Sequence, residues 1–477
     1  MLFNSTEYFL FFGVVAVLHF AIPHRFRWLL LLVASYAFYM SWNATYILLI
    51  LASTVVDFFI GPALAREESP RRRKALLFTS LGANLGLLFV FKYWNFANDS
   101  LRALAERFGL GWQIPDLDVL LPVGISFYTF QTLSYTIDIY RRRLKAEHHP
   151  GHFALYVAFF PQLVAGPIER ASSLLPQIDR IKRVDWDRIF SGVQLVMWGL
   201  FKKVVIADRV AAYVEAVFGN VEFHNATSVL LATYLFAFQL YCDFSGYSDM
   251  AIGSAKILGF DLMENFRRPY FSTTTGEFWR RWHISLSTWL RDYLYLGLGN
   301  PKRTVSRTYI NLFLTMLLGG LWHGASWNFV IWGAFWGSLL ALSRATIQWR
   351  DRLYRGVGVP NRVRDLWRMF VVFHLGCISW VFFRAETLDD SMHMYRTLFG
   401  SIDNWQMPFI HPLALVSGGL GIALLLLVQV WQERVGSVRA SLARGPLVLQ
   451  WGALYALMFW ILLLGVEGGD QFIYFQF

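Results

Sequence analysis

Apolar runs of about membrane-spanning length recur from one end of this sequence to the other. About 20 apolar residues in an α-helix cross the hydrocarbon core of a bilayer, and Tyr8–Ile22, Ala44–Leu64 and Ser228–Leu258 are runs of this kind. They do not alternate between apolar and polar residues, which disfavours a transmembrane β-barrel. The sequence therefore predicts an all-α polytopic membrane protein, with about a dozen helices in one continuous domain over residues 1–477.

Charge and cysteine content narrow the class further. Charged residues make up 16% of the chain, against about 25% in a typical soluble domain. The net charge of +11 would suggest nucleic acid in a soluble protein, but the basic residues lie in short loops between apolar runs. We therefore expect the protein to lie in a lipid membrane and not to bind nucleic acid. Cys242 and Cys377 lie in apolar stretches without CxxC spacing, so neither a disulfide framework nor a zinc site is expected.

The distribution of basic residues predicts the orientation of the first helices. Lysine and arginine occur in the turn at residues 24–27 and in the loop at residues 66–74, and the turn at residues 41–44 has none. Because basic loops favour the cytoplasmic side, the N-terminus is expected outside. No basic segment precedes Tyr8–Ile22, so we interpret this run as a retained helix and not as a cleaved signal peptide.

Four segments depart from the simple pattern of apolar spans. Leu101–Leu110 has the periodicity of an amphipathic surface helix, and Leu120–Tyr140 has too many polar residues to face lipid, so we expect it to line an interior. Phe153–Ala165 is too short to cross alone and is expected to be re-entrant or interfacial. Ile189–Val217 either bends out of the membrane or faces a wet cavity, because charged residues lie in its middle: Lys202, Lys203, Asp208 and Arg209.

The first of two histidines in unusual surroundings is His283, in the segment Glu277–Asp292. On a continuous helix, residues three and four positions away share one face, which would place Trp279, Arg280 and Ser287 beside it. A desolvated imidazole next to arginines is expected to be neutral, because nearby positive charge disfavours the imidazolium. The alternative is that the arginines are interfacial anchors and that His283 belongs to the same belt.

The second histidine, His323, lies deep in an apolar run, with Trp327 one helical turn further on. Gly319 and Gly320 precede it and would let another backbone or a substrate approach closely. An ionisable residue within a span is a functional hypothesis by default, and a neutral buried imidazole could act as a general base toward a hydroxyl. The alternative is a structural histidine that is hydrogen-bonded to a neighbouring helix.

Other chemistry is weakly indicated. Asp243 and Asp249 are six positions apart and do not share a helix face closely, so separate hydrogen-bonding roles are favoured over a paired carboxylate site. No wider cluster of further ligands accompanies the histidines at positions 148, 149 and 152, which favours a solvated loop over a metal site. The sequence contains no P-loop, no GxGxxG between strand and helix and no HExxH. We therefore predict no metal.

Both unusual histidines lie inside longer motifs. The first motif is Glu277–Ser287, followed by Asp292–Tyr295, and the second is Gly319–Ala325. These motifs resemble the membrane-bound O-acyltransferase (MBOAT) family, specifically its bacterial branch, the membrane subunit of alginate O-acetylation and its D-alanyl-transfer relatives. Further segments agree with the alginate-type members: Pro122–Phe130, Ala165–Ile168, Asp243–Met250 and Phe472–Phe477.

The resemblance implies an architecture and a site. It implies a ring of transmembrane and re-entrant helices around a central cavity, with a catalytic core at about residues 120–340. It places the family's catalytic histidine on His323 and its second motif histidine on His283. The residues that we expect to line the cavity or contact substrate are Trp279, Arg280, Ser287, Trp322, Trp327, Asn328, Tyr247 and Asp243.

The resemblance also implies an O-acyltransferase of the bacterial inner membrane. An acetyl group would move from a cytoplasmic thioester, acetyl-coenzyme A or an acyl carrier protein, to a hydroxyl of an exported polysaccharide such as alginate, or to a periplasmic acetyl-handling partner. His323 would remove the hydroxyl proton, and His283 or a nearby donor would stabilise the oxyanion or orient the donor. No bound cofactor is expected, and direct transfer is simpler because no nucleophilic cysteine or serine elbow is evident.

Two other classes of protein remain open at this point. A transporter would also be polytopic with buried charges, although neither inverted repeats nor matching broken helices are evident in the sequence. A scaffold subunit would pass acetyl groups across the membrane and leave the final transfer to a partner.

Overall fold

The computed structural model describes residues 1–164, 166–299, 304–400, 412–466 and 472–473. Regular structure in these residues is helical, as predicted. They cluster into two compact units, of which the first comprises Met1–Ile189, Ser254–Met263 and Gly324–Ser326, and the second comprises Phe190–Gly253, Glu264–His323 and Trp327–Phe477. The prediction of one domain with a core at about residues 120–340 stays a prediction, because compact packing units can belong to one domain.

Eight helices within the described residues are long and apolar enough to cross a membrane. This confirms the prediction of an all-α polytopic membrane protein. The eight candidate spans are Ala44–Arg66, Pro70–Arg107, Trp186–Phe218, Ala226–Ile257, Trp327–Gly356, Asn361–Arg384, Leu415–Val435 and Leu447–Leu464.

The first nine helices precede the second unit. They are α1 (Thr6–Ala21), α2 (His24–Met40), α3 (Ile47–Arg66), α4 (Pro70–Leu88), α5 (Trp94–Arg107), α6 (Ile125–Tyr140), α7 (Pro150–Ala158), α8 (Phe160–Leu163) and α9 (Ala171–Ile178). The predicted surface helix Leu101–Leu110 overlaps the end of α5, whose last residue is Arg107, and α5 continues from α4 through a π-helical turn at Phe89–Tyr93. No proline or glycine interrupts the chain between these helices, so nothing there stops the helix.

Helix α6 is buried along most of its length, which confirms that the polar segment after Leu120 faces an interior. Its Thr136 donates a hydrogen bond to Asp57 of α3 at 3.1 Å, and Asn84 of α4 donates to the same carboxylate at 2.8 Å. Buried polar groups in a membrane protein must find such partners internally. The predicted short segment Phe153–Ala165 becomes α7 and α8, neither of which is long enough to span; Ala165 lies outside the described residues.

The later helices carry the predicted site. They are α10 (Trp186–Leu200), α11 (Asp208–Phe218), α12 (Ala226–Ile257), α13 (Thr275–Arg281), α14 (Ile284–Trp289), α15 (Val305–His323), α16 (Trp327–Gly356), α17 (Asn361–Arg384), α18 (Leu388–Gly400), α19 (Pro412–Val435), α20 (Val438–Ala443) and α21 (Leu447–Leu464).

Helices α10 and α12 are antiparallel and touch through glycines. A Cβ atom on Gly246 would lie 2.7 Å from the carbonyl oxygen of Gly199, and one on Gly253 would lie 2.7 Å from that of Gly192. Each helix thus presents two glycines seven residues apart, so the two contacts repeat in register. Small residues at such positions allow the backbones of membrane helices to approach closely.

A π-helical segment, Phe201–Ala207, joins α10 to α11 and carries two buried lysines. Lys202 forms an ion pair of 2.7 Å with Asp249, and Lys203 lies 2.8 Å from both Asp243 and Asp208. The sequence predicted that this segment bends out of the membrane or faces a wet cavity. That stays a prediction; the structure adds that acids from α12 and α11 pair with the lysines. It also places Asp243 and Asp249 on different lysines, in agreement with their predicted separate roles.

Close packing of α15 on α16 fixes the position of His323. A Cβ atom on Gly320 would lie 2.3 Å from the carbonyl oxygen of Phe329, and one on Gly333 would lie 2.5 Å from that of Met316. His323 is the last residue of α15, one turn beyond Gly320 in the sequence. The glycine contacts therefore hold the end of α15 against the start of α16.

Candidate active site

His323 lies in a cage of aromatic rings. Its ring centre is 5.0 Å from those of Trp322 and Trp332 and 5.4 Å from that of Phe383, and each pair is close to perpendicular. The residue is buried, with 3% of its surface exposed. The helices that supply the cage are α15, α16 and α17, so three consecutive helices fix one imidazole.

His283 does not lie on a continuous helix. Helix α13 ends at Arg281, and His283 caps α14 with a left-handed backbone, φ 43° and ψ 57°. This corrects the prediction that Trp279, Arg280 and Ser287 share a helix face with it. A left-handed residue other than glycine costs about 1–3 kcal/mol and persists only where its surroundings enforce it, which is common at functional sites.

Asn265 accepts hydrogen bonds from the chain at this break between α13 and α14. Its backbone oxygen accepts the N–H of Ile284 at 2.9 Å, and its side-chain Oδ1 accepts the N–H of Ser285 at 3.2 Å. The same Oδ1 accepts the Ser285 hydroxyl at 2.9 Å and lies 3.1 Å from Nδ1 of His283. One amide therefore holds both the first turn of α14 and the imidazole ring.

These contacts determine the tautomer of His283. The backbone N–H of Ser285 can only donate, so the atom that it contacts on Asn265 is the carbonyl oxygen. An oxygen acceptor requires a donor on Nδ1 of His283, so Nδ1 carries the hydrogen and Nε2 carries the lone pair. His283 lies outside the candidate spans, and burial lowers its pKa to about 3, so the ring is neutral near neutral pH.

The sequence predicted that desolvation and neighbouring arginines together keep His283 neutral. Of these two causes, burial is the one that lowers its pKa in the structure. Arg281 forms ion pairs with Glu277 at 2.8 Å and with Glu433 at 2.5 Å, and Arg280 is exposed. Desolvation alone is sufficient to disfavour a charged imidazole.

The two histidines belong to one constellation. Their ring centres are 6.4 Å apart, and the ring of Trp322 lies 6.0 Å from that of His283 and 5.0 Å from that of His323. Phe244 of α12 packs edge-on against His283 at 4.6 Å. Two imidazoles at this separation can both contact the reacting groups of one small substrate.

Five of the other predicted site residues are either packed against aromatic rings or exposed. Trp279 and Trp322 are buried in the aromatic cluster, and Tyr247 packs against Phe472 at 4.7 Å. Arg280 and Trp327 are exposed, Trp327 by 55%. The structure therefore brings Trp322 next to both histidines and leaves Arg280 and Trp327 on a surface.

Three further predicted site residues make structural contacts. Ser287 donates to the carbonyl oxygen of Trp282 at 3.2 Å. Asn328 donates to the carbonyl oxygens of Ala385 at 2.9 Å and Thr387 at 3.0 Å, so it connects α16 to the segment after α17. Asp243, in addition to its ion pair, accepts the backbone N–H of Ile473 at 2.9 Å. Their predicted substrate contacts stay predictions.

Sequence reasoning missed several residues of the site, chief among them Asn265, Trp332 and Phe383. Asn265 precedes His283 by 18 positions, and neither tryptophan nor phenylalanine stands out in a chain with 18% aromatic residues. Local spacing carries no signal for such contacts. Within the ranges that the structure describes, no cluster of three or more His, Cys, Asp or Glu side chains is suited to a metal ion.

Comparison with known proteins gives consistent matches. Residues 140–383 match the model of MBOAT, the membrane-bound O-acyltransferase family. The chain is 43% identical over 433 residues to the probable alginate O-acetylase AlgI of Azotobacter vinelandii, covering 90% of this chain and 84% of that protein. It is 44% identical over 412 residues to the probable alginate O-acetylase AlgI of Pseudomonas aeruginosa, covering 85% and 76%. It is 34% identical over 418 residues to the peptidoglycan O-acetyltransferase of Helicobacter pylori, covering 82% and 77%.

Proposed function

This chain belongs to the membrane-bound O-acyltransferase family, and on that premise we propose that it transfers an acetyl group from a thioester to a hydroxyl of an exported polysaccharide. The observation that carries the proposal is the pair of buried imidazoles in one aromatic cage, 6.4 Å apart. Relatives named for alginate and peptidoglycan acetylation support a glycan acceptor. Alginate is the favoured acceptor, because relatives that are 43% and 44% identical carry that name.

The chemistry assigned to His323 is general base catalysis. The acceptor hydroxyl attacks the thioester carbonyl carbon while His323 takes the hydroxyl proton, and the carbon–sulfur bond then breaks. The same proton passes from His323 to the departing thiolate, so the histidine is regenerated. Apolar rings on three sides exclude water, which would otherwise compete as the nucleophile.

The tautomer of His283 limits its part in this reaction. With its hydrogen on Nδ1 toward Asn265, the neutral ring offers an acceptor at Nε2 and no donor for an oxyanion. We therefore assign it the orienting role: Nε2 accepts a hydrogen bond from the acceptor hydroxyl or from an amide N–H of the thioester donor. Of the two roles that the sequence left open for His283, this is the one its hydrogen bonding supports.

The indole N–H of Trp332 is the nearby donor that we assign to the oxyanion. It is buried, and among the side chains and backbone groups that the structure describes nothing accepts a hydrogen bond from it. Its ring centre lies 5.0 Å from that of His323. A buried donor without a protein acceptor requires an explanation, and a developing negative charge in the reaction supplies one.

Replacing Trp332 with phenylalanine tests this role, because phenylalanine keeps an aromatic ring and removes the N–H. Loss of one oxyanion donor typically costs about 10²–10³-fold in kcat, and we expect a decrease of about 10²-fold here with little change in KM. The measurement is steady-state acyl transfer. Trp336→Phe is the comparison, since its N–H already donates to Ser379 at 3.1 Å. Equal activity of Trp332→Phe and the wild type would remove Trp332 from the mechanism.

We place the protein in a bacterial inner membrane with its N-terminus outside, supported by the basic turn at residues 24–27 and the basic loop at residues 66–74. The donor then reaches the site from the cytoplasm, as acetyl-coenzyme A or an acyl carrier thioester, and no bound cofactor is required. Periplasmic acetyl-handling proteins are the partners that fit an exported acceptor.

The function is tested by reconstituting the purified protein in liposomes with acetyl-labelled coenzyme A and alginate oligosaccharides. We expect label on the oligosaccharide, dependent on the protein. Label that leaves the donor but never reaches the oligosaccharide would instead favour a subunit that passes acetyl groups to a partner. Accumulation of intact oligosaccharide or donor in the lumen without acylated product would indicate a transporter.

A further inference from the structure

We propose that Asn265 is a positioning residue that sets the tautomer and orientation of His283 in the acyl-transfer site. The proposal rests on the function proposed for His283 and extends it to the residue that makes this function possible. The geometry points to a single atom, Oδ1 of Asn265, which contacts the backbone N–H of Ser285, the Ser285 hydroxyl and Nδ1 of His283 at 3.2, 2.9 and 3.1 Å.

The opposite end of the amide is also held. Nδ2 of Asn265 donates to the hydroxyl of Ser248 at 3.2 Å, and Asn265 and Ser248 are each only 1% exposed. If the amide were flipped, Nδ2 would face the N–H of Ser285, and two donors would oppose each other. The flipped state is therefore disfavoured, because a buried unsatisfied donor costs about 1–3 kcal/mol.

Two residues of helix α12 contact Asn265 and His283. Ser248 holds the amide, and Phe244, one turn earlier, packs edge-on against the His283 ring at 4.6 Å. Phe266, next to Asn265 in the chain, stacks near the same ring at 6.3 Å. The ring is thus held by the hydrogen bond to Asn265 and by aromatic contacts that include Phe244 and Phe266, in the way that groups behind a catalytic histidine determine its tautomer.

The competing explanation is that Asn265 only caps α14. Its Oδ1 accepts an N–H from the first turn of that helix, which alone stabilises a helix by about 1 kcal/mol. Asn265→Asp separates the two roles, because a carboxylate oxygen can still cap the helix and still accept from Nδ1. Aspartate differs from asparagine in its negative charge, and a negative charge within about 4–6 Å favours the imidazolium.

The expected effects of the aspartate follow from this charge. Among the described residues whose rings contact His283, His323 is titratable, with ring centres 6.4 Å apart, whereas Phe244, Phe266 and Trp322 carry no charge. Burial lowers the pKa of His283 to about 3, and a carboxylate at position 265 should raise it. His283 would then gain a proton at higher pH than in the wild type, and the acid limb of the pH–rate profile would move to higher pH.

The decisive measurement is ¹⁵N NMR of histidine-labelled protein in detergent micelles, which reports which ring nitrogen is protonated. The His283 signals are assigned by their loss in His283→Asn, since asparagine tolerates the left-handed backbone better than most residues. We expect a protonated Nδ1 and an unprotonated Nε2 in the wild type down to about pH 5, and protonation at higher pH in Asn265→Asp. Asn265→Leu should lose the single tautomer and reduce kcat/KM by about 10–100-fold.

Two results would overturn the proposal: a proton on Nε2 in the wild-type protein, or identical titration of His283 in wild type and Asn265→Asp. Neither result depends on acyl transfer, so a failure of the proposed reaction would be distinguished from a failure of the positioning role. If Asn265→Leu does not accumulate, the aspartate variant and the wild-type spectrum decide the question.

Discussion

Replacing His323 with glutamine is expected to lower the rate of acyl transfer by about 10²–10⁴-fold, the contribution usual for a general base. Glutamine has nearly the length of histidine and can form hydrogen bonds, but it cannot take a proton from a hydroxyl. Because the cage around His323 is formed by α15, α16 and α17, the variant should still insert and accumulate. The measurement is label transferred from acetyl-coenzyme A to alginate oligosaccharide in liposomes.

His374→Gln is the matched control for this experiment. His374 is a partly buried histidine of α17 that contacts the hydroxyl of Tyr234 at 2.8 Å and the carbonyl oxygen of Phe370 at 2.8 Å, and it is not part of the cage. We expect this variant to retain activity. Wild-type rates in a well-accumulated His323→Gln protein would contradict the assignment of the base.

Replacing Lys203 with methionine is expected to destabilise the protein by about 3–5 kcal/mol, as when one partner of a buried ion pair is removed. Methionine matches the length of the lysine stem but leaves Asp208 and Asp243 without the ammonium that lies 2.8 Å from each. Charges without a counter-charge are costly inside a protein. The effect is measured as a lower yield of folded protein and a lower midpoint of thermal unfolding in detergent.

A triple variant tests whether charge is the cause. Combining Lys203→Met with Asp208→Asn and Asp243→Asn removes all three charges and keeps similar volumes, so stability should recover a substantial part of the loss. A midpoint for Lys203→Met equal to that of the wild type would show that the ion pairs contribute little. A triple variant less stable than the single variant would indicate that the hydrogen bonds to these acids matter more than their charge.

The features of this protein that could be predicted from sequence are those that depend on residues close together in the chain. Apolar run lengths identified the membrane class, and the apolar run around His323 indicated that this histidine is buried. The dense polar face of α6 indicated burial for the same reason, since its hydroxyl and amide side chains would be costly against lipid. Each of these inferences needs only neighbours within a few residues.

The parts that escaped prediction depend on contacts between distant segments. The break at His283 exists because Asn265 accepts hydrogen bonds from the N–H groups of Ile284 and Ser285. The helical periodicity of the sequence around His283 does not reveal this acceptor. The acids on α12 and α11 that pair with Lys202 and Lys203 could not be identified from the sequence around these lysines. Helix-face reasoning failed at His283, where hydrogen bonds from a distant segment accompany a left-handed backbone.

The paired lysines and aspartates also constrain how the chain enters the membrane during synthesis. The segment Trp186–Phe218 carries four charged residues in its middle, and charges at the bilayer centre cost about 2.5–3.5 kcal/mol each on insertion scales. Asp243 and Asp249 lie on α12, which emerges from the ribosome later. We therefore expect the segment Trp186–Phe218 to remain at the translocon until α12 arrives. The segment and α12 would then enter the membrane together, with their charges paired and the glycines of α10 and α12 in contact.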